Sequence, residues 1–366
     1  FIGPGKVMHA SPAGFSVEDL GPEDLRVVVR DDNIAIAGGR PRGTLYGVYT
    51  FLEDYLDVRF LTHDHTHVPP VGQQRPIDPL DRVYRPPFVN YRNVGYEACY
   101  RFPVFGVRTR NNGYHDQPRF GGMSPFGNIG HSFYRQVPYE KYGKDHPKYF
   151  NLWNGKRMNY FMATHLCLTN PDLLPIVTDA VLNLIESPAA VGRKNFAVSQ
   201  NDGRLYCQCE KCAAIDKREE SHMGVLLNFV NKVADEVGKK YPDVKIGALA
   251  YEYSHKPPKN IRPRDNVQIN LCSINAYQLH AFSDSSCPEN VIYMRDLRGW
   301  SKICKNLYAW TYNGNFNENL LPYPGLRRTP VGSLAVVAIS SSTASPLGAM
   351  ACSPPATPYR PASHVH

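Results

Sequence analysis

The sequence predicts an α/β protein: a small amino-terminal α/β sandwich domain, then a (β/α)8 TIM-type barrel that is incomplete at its C-terminal end. Three observations predict it. A hairpin, a helix and a strand follow one another within the first 80 residues. Strand-like and helix-like segments then alternate from Val89 to Tyr312, which argues for a parallel sheet, and their number favours a barrel over an open sheet. From Arg327 onward the chain turns rich in Ala, Ser and Pro and contains no Asp, Glu or Lys. The expected units are therefore 1–80, 81–326 and a tail over 327–366.

In the front unit, Leu25–Val29 and Ile34–Ala37 are short β-prone runs joined by the turn Asp31-Asp32-Asn33. Gly38-Gly39 breaks the chain. Leu45, Val48, Tyr49, Leu52 and Tyr55 then recur at helical spacing, and Val58–Leu61 reads as a strand. Pro69, Pro70, Pro76, Pro79, Pro86 and Pro87 predict a stiff linker, because each ring fixes φ and removes a backbone donor.

In the second unit, Val89–Gly95 and Ala163–Leu168 read as strands. Pro171–Glu186 reads as a helix capped by Asn170, since proline fits a first helical turn. Asn195–Gln200 is a strand ending in the polar tip Asn201-Asp202-Gly203. Ser221–Lys240 carries one apolar stripe of Val225, Leu226, Phe229, Val230, Val233 and Val237. Lys245–Tyr251 and Val267–Cys272 are strands, Glu289–Cys304 a helix and Leu307–Tyr312 a strand. In the tail only Leu334–Ile339 is apolar. Disorder, a linker, or a frame error in the gene model each fit the rest.

Composition narrows the function. The 366 residues carry a formal charge of +8, but the basic residues are scattered and join no nucleic-acid motif, so nucleic acid is not an expected partner. No apolar run approaches the roughly 20 residues of a membrane span. The chain opens on Phe1 without a charged-then-apolar leader, so a preceding segment is expected to be missing or processed. Tyr, Phe and Trp number 23, 16 and 3 and gather in short polar segments such as Tyr251–Tyr253 and Trp310–Tyr312. Aromatic faces stack on the C–H faces of sugar rings; they also fill half-buried positions in any large fold.

Chemistry in a parallel barrel sits at the carboxyl ends of strands, so residues there are the candidates. Asp202 could protonate a glycosidic oxygen as general acid, or simply cap a turn before Gly203. Glu252 offers a second carboxylate at the next strand end, or is an exposed loop residue. A substrate with an N-acetyl group can supply its own nucleophile, and the protein then needs one acid, an acetamide-orienting group and aromatic walls. Asn201, Tyr251, Trp310 and Tyr312 could fill the last two roles. His131 and Glu97 are further candidates for substrate contact, His131 being otherwise a structural loop histidine. His63, His65 and His67 alternate but lack further ligands. Cys207, Cys209 and Cys212 could hold a structural zinc with Cys167 or Cys99 as fourth ligand, or form disulfides with distant partners. Nine cysteines leave at least one unpaired in a single chain. Catalysis itself requires no cofactor on this reading.

Several segments together resemble known families. Arg42-Gly43-Thr44-Leu45-Tyr46-Gly47-Val48-Tyr49, with Phe51-Leu52-Glu53 and Val58-Arg59-Phe60, resembles the small domain preceding the barrel in family 20 hexosaminidases and α-glucuronidases. Gly130-His131-Ser132-Phe133, His146-Pro147-Lys148-Tyr149, Gly155-Lys156-Arg157, Cys167-Leu168-Thr169-Asn170-Pro171, Ser199-Gln200-Asn201-Asp202, Cys207-Gln208-Cys209-Glu210-Lys211-Cys212, Ala250-Tyr251 and Pro257-Pro258 resemble the bacterial family called domain of unknown function 4838. The resemblance covers about residues 25–325. It implies a glycoside-hydrolase-like barrel similar to glycoside hydrolase family 163, endo-acting on N-acetylglucosamine linkages, and an exported protein. The family pattern normally runs on through another barrel strand and a helical region past Leu326. The rival readings are a carbohydrate-binding barrel without catalysis and a zinc-stabilised interaction module.

Overall fold

A computed structural model describes residues 1–72, 76–86, 91–93, 97–113, 118–127, 129–158, 164–277 and 280–312, and the backbone of 337–340. In chain order, helix α1 (Lys6–His9) precedes strands β1 (Leu25–Arg30) and β2 (Asn33–Gly38), helix α2 (Gly43–Asp54), and strands β3 (Arg59–Phe60), β4 (Thr66–His67) and β5 (Leu80–Tyr84). Asp31 and Asp32 take positive φ of 47° and 60°, the left-handed pair that a two-residue hairpin needs, and aspartate tolerates it better than most residues. The sheet order is β2-β1-β5, all antiparallel. Alternation along β1 serves two layers: Leu25 and Val27 face α2, whereas Val28 faces Met8, Ala13 and Phe15 of the amino-terminal segment.

The expected proline linker is thus only partly a linker. Leu80–Tyr84 lies between its prolines and carries none, so its N–H groups are free to pair with β1. The front core also takes Val107 and Phe120 from beyond residue 80. A buried charge cluster stitches the two parts together. Glu23 is fully buried, 2.6 Å from Arg42 and 2.5 Å from Arg92, and accepts a 3.1 Å bond from Asn112. Arg42 donates onward to the carbonyls of Gly121 and Gly122.

Short helices follow: α3 (Glu97–Arg101), α4 (Pro103–Arg108), α5 (Phe133–Gln136) and α6 (Tyr139–Tyr142). The hairpin β6 (Leu152–Trp153)/β7 (Lys156–Arg157) turns on Asn154-Gly155, both at positive φ. The second unit is then α7 (Leu173–Ile185), β8 (Asn195–Ala197), α8 (Glu210–Glu219), α9 (Met223–Lys240), β9 (Lys245–Ala250), β10 (Val267–Cys272), α10 (Pro288–Ile303), β11 (Asn306–Trp310) and β12 (Val337–Ser340). β8, β9, β10 and β11 are parallel neighbours, and β12 pairs antiparallel with β11.

The fold is therefore mixed α/β with a parallel sheet, and among the described residues that sheet is open rather than a closed barrel. The antiparallel β12 ends the parallel run on one side. On the other, the loop entering α5 meets the chain beyond β8, with the Ser132 and Phe133 N–H groups both donating to the Ser199 carbonyl. The tail expectation needs the same correction: part of its apolar run forms edge strand β12, while 327–336 and 341–366 lie outside the described residues.

Ala163–Leu168 is not a strand where it is described. Its pairing stops at one bridge between Leu166 and Phe150, closed by bonds from Asn151 N–H to the His165 carbonyl and from Cys167 N–H to the Tyr149 carbonyl, and side-chain amides take the next groups along. Asn151 Oδ1 accepts from His165 N–H, and Asn201 Nδ2 donates to the Thr164 carbonyl. Of Val89–Gly95 only Tyr91–Asn93 are described, with no strand. Helix α7 starts at Leu173 rather than Pro171, because Asn170 Oδ1 caps the Asp172 N–H and delays the first turn.

The sheet has two unlike faces. Phe196, Ile246, Ala248, Val267, Ile269, Leu271 and Leu307 pack in the core that α7, α9 and α10 also line. The alternate positions Asn195, Gln268 and Asn270 form a buried amide chain: Asn195 Nδ2 donates to Gln268 Oε1 (3.1 Å), and Gln268 Nε2 to Asn270 Oδ1 (2.8 Å). Gly247 on this face lets Ile129 approach so closely that any Cβ would clash. Toward the carboxyl ends the same face becomes aromatic.

Candidate functional site

The rim is built on a rigid polar platform. Ser199 Oγ accepts from Leu249 N–H (3.0 Å) and donates to Gln200 Oε1 (2.8 Å). Gln200 Nε2 donates to Ser254 Oγ (2.8 Å), and Ser254 caps the turn that starts at Tyr251. These groups are fully buried, so a satisfied network here fixes the backbone on both sides of the rim.

On that platform stand three groups. The Tyr251 hydroxyl donates to Asp202 Oδ1 at 3.0 Å. His131 Nδ1 lies 2.7 Å from the Gln200 carbonyl, which can only accept, so Nδ1 carries the hydrogen. In the neutral ring Nε2 is then a bare lone pair, 3.8 Å from Asp202 Oδ1. The Asp202 carboxylate is 57% exposed, open to an incoming ligand. Burial, reinforced by the charge of Asp202, pushes the Tyr251 phenol up from its ordinary value, so it remains a donor.

Beside them is an aromatic wall. Trp310 and Tyr312 stack 6.2 Å apart, and both pack with Tyr251 against Ile129, Leu249 and Cys272. Burial raises the Tyr312 phenol too.

Glu252 is held differently. Its carboxylate is largely buried and gripped by Arg204 through Nε (3.0 Å) and the guanidinium tip (3.2 Å). Glu252 sits at φ 51°, a left-handed conformation costly for a residue with a Cβ and concentrated at functional sites. Arg204 carries no signal in the sequence beyond standing two residues after Asp202. Its pairing depends on the unusual turn at Glu252.

Two expected contacts are placed elsewhere in the chemistry. Asn201 is buried with both amide ends committed, Oδ1 to the Tyr134 N–H and Nδ2 to the Thr164 carbonyl. It anchors the rim, and its amide is not free to orient an acetamide. Glu97 opens α3, exposed and paired with Arg101 one turn on. His63, His65 and His67 do not converge; among the described residues, only a cysteine set brings three or more ligand atoms together.

His165 was hidden in an apolar run. It is 2% exposed, edge-on to Tyr253, and neither ring nitrogen makes a hydrogen bond of good geometry, although the Gly203 backbone approaches it. Burial, with a smaller push from His131, lowers it to about 4. Its folded value lies below the roughly 6.5 of an unfolded histidine. The stabilisation is therefore complete above about pH 6.5 and is lost as pH falls toward 4, by up to ~3 kcal/mol. Urea unfolding at pH 7 and pH 4.5 should show this loss, and His165→Phe should remove that part of it. An unchanged pH dependence in the variant would rule out His165 as the source.

A family model described as Domain of unknown function (DUF4838) matches residues 60–331. Among solved structures, a β-N-acetylhexosaminidase from Bacteroides fragilis NCTC 9343 is 11% identical at TM-score 0.40, over 84% of this chain and 66% of that one. A family GH115 4-O-methyl-α-glucuronidase with specificity for decorated arabinogalactans is 13% identical at TM-score 0.42, over 85% of this chain and 42% of that one. The chain thus spans less than two thirds of the length of either, and at these scores neither likeness assigns an activity. No curated protein matches. Among the described residues no helix is long and apolar enough to cross a membrane.

Proposed function

The chain belongs to the DUF4838 family, a domain of unknown function, and from that premise and the rim chemistry we propose a carbohydrate-active protein: a glycoside hydrolase acting on N-acetylhexosamine-containing glycans. One observation carries the reading. A solvent-open carboxylate, Asp202, is bonded to Tyr251, and Tyr251 packs in one cluster with the stacked pair Trp310 and Tyr312. A carboxylate beside an aromatic wall at the ends of parallel strands suits a sugar ring, apolar on its faces and polar at its edge.

In the proposed reaction Asp202 gives its proton to the glycosidic oxygen as the bond to the anomeric carbon breaks. The acetamide carbonyl of the substrate attacks that carbon. Water then opens the cyclic intermediate and returns a proton to Asp202. Tyr251 and His131 orient Asp202. Glu252, occupied by Arg204, contacts substrate through that ion pair. Trp310 and Tyr312 form the wall. The family resemblance adds that such a protein is exported.

Reducing-end release from N-acetylglucosamine-linked glycans tests the reading. Binding without release would favour the carbohydrate-binding alternative, and neither binding nor release would remove both. In either surviving case Trp310→Ala should weaken glycan affinity by about tenfold, the worth of one stacking contact. Unchanged affinity, read by calorimetry, would place the glycan elsewhere.

A further inference from the structure

Behind the loop that leaves Asp202, four thiols converge. We propose that Cys167, Cys207, Cys209 and Cys212 form a structural zinc site that fastens this loop to the body of the protein. Their Sγ atoms all lie within 4.8 Å of one another, and Cys167 and Cys209 are 3.5 Å apart. Zinc–sulfur bonds of about 2.3 Å in a tetrahedron put sulfurs about 3.8 Å apart, so the set needs only small adjustments to close on one ion. Cys99, the other candidate fourth ligand, sits instead against Thr109.

Hydrogen-bonding groups reach the sulfurs inside an otherwise apolar shell. Leu152 N–H donates to Cys207 Sγ (3.4 Å), and Thr169 Oγ1 lies 3.2 Å from Cys212 Sγ and 3.7 Å from Cys209 Sγ. Such outer donors are what metal-bound sulfur receives. Cys209 is the N-cap of α8 and Cys212 lies in its first turn, so the positive end of the helix faces two of the sulfurs. Cys167, Cys207 and Cys212 are buried, and Leu152, Leu168, Ile215 and Val225 close around the cluster. A closed set of four sulfurs leaves no open position for substrate, so the role is structural.

The location gives the site its consequence. Cys207 follows Asp202 by five positions and Arg204 by three, while Cys167 follows His165 by two. One ion would therefore hold both the strand-end loop and the segment beneath it. The inference does not depend on the glycosidase reading, because it is read by metal content and spectroscopy.

Wild-type protein, purified reduced and without chelator, should retain about one zinc per chain through gel filtration. Replacement by cobalt should give the intense visible absorption of a tetrahedral four-thiolate site. Cys167→Ser should weaken and shift that spectrum, and Cys99→Ser should leave it unchanged. The wild-type titration stands even if Cys167→Ser fails to fold. Reduced wild-type protein that takes up neither zinc nor cobalt, or gives only the pale spectrum of octahedral cobalt, would overturn the proposal. So would native protein in which these cysteines are mapped in disulfides despite zinc in excess.

Discussion

Asp202→Asn should cut turnover on an ordinary N-acetylglucosamine-linked glycan by roughly 100-fold or more, with little change in glycan affinity. The amide keeps the shape of the carboxyl group and can still accept from the Tyr251 hydroxyl, so the rim is preserved. It has no proton to transfer. The affinity holds because the wall of Trp310 and Tyr312 is untouched. A substrate with a strongly acidic leaving group should recover part of the loss, since its departure needs no protonation. Ordinary turnover by the variant would exclude Asp202 as the acid, and Glu252→Gln would become the next variant. That second variant would also release Arg204, so a change in folded stability would accompany it.

Glu23→Ala should destabilise the protein by about 3–5 kcal/mol, the cost of leaving buried charge without its partner. Glu23 answers two guanidiniums and one amide. Without it, Arg42 and Arg92 remain side by side with little access to water. A fair comparison is Asp81→Ala, which breaks the half-exposed pair with Arg26 and should cost less than about 1 kcal/mol. Chemical denaturation of the two variants reads the difference. Equal losses would mean that water reaches the Glu23 cluster and screens it.

How much of this was legible depends on which forces act locally. Helix α9 and strands β9, β10 and β11 stand close to their expected bounds, because a single apolar stripe or a buried alternating run determines each. Strand-end logic also led to Tyr251, Trp310 and Tyr312, which the structure brings into one cluster. Helix α8 gave no such signal. Its sequence is mostly polar, and what it buries are Cys212, Asp216 and Glu219, the last bonded to the Asn260 and Ile261 N–H groups. Asn201 looked like a ligand group because its side chain is polar; its two backbone partners lie 67 and 37 positions away, beyond any sequence window. The closed barrel was inferred from a count of segments. Ala163–Leu168 entered that count, although its pairing stops at one bridge and side-chain amides from elsewhere in the chain take the Thr164 carbonyl and the His165 N–H.

The Glu23 cluster also sets an order of events while the chain is being made. Glu23 and Arg42 leave the ribosome together with the hairpin and helix that carry them, but Asn112 follows Glu23 by 89 positions. At synthesis rates of about 5–20 residues per second, that delay is roughly 4 to 18 seconds. Until Arg92 emerges, 69 positions after Glu23, the nascent front unit holds a carboxylate paired with Arg42 alone, and its core still lacks Val107 and Phe120. The hairpin and helix can form early, yet the unit matures only when the chain beyond it has emerged. A nascent chain stalled at residue 80 should therefore be cut readily by protease, and one stalled far enough on to expose Gly122 should resist.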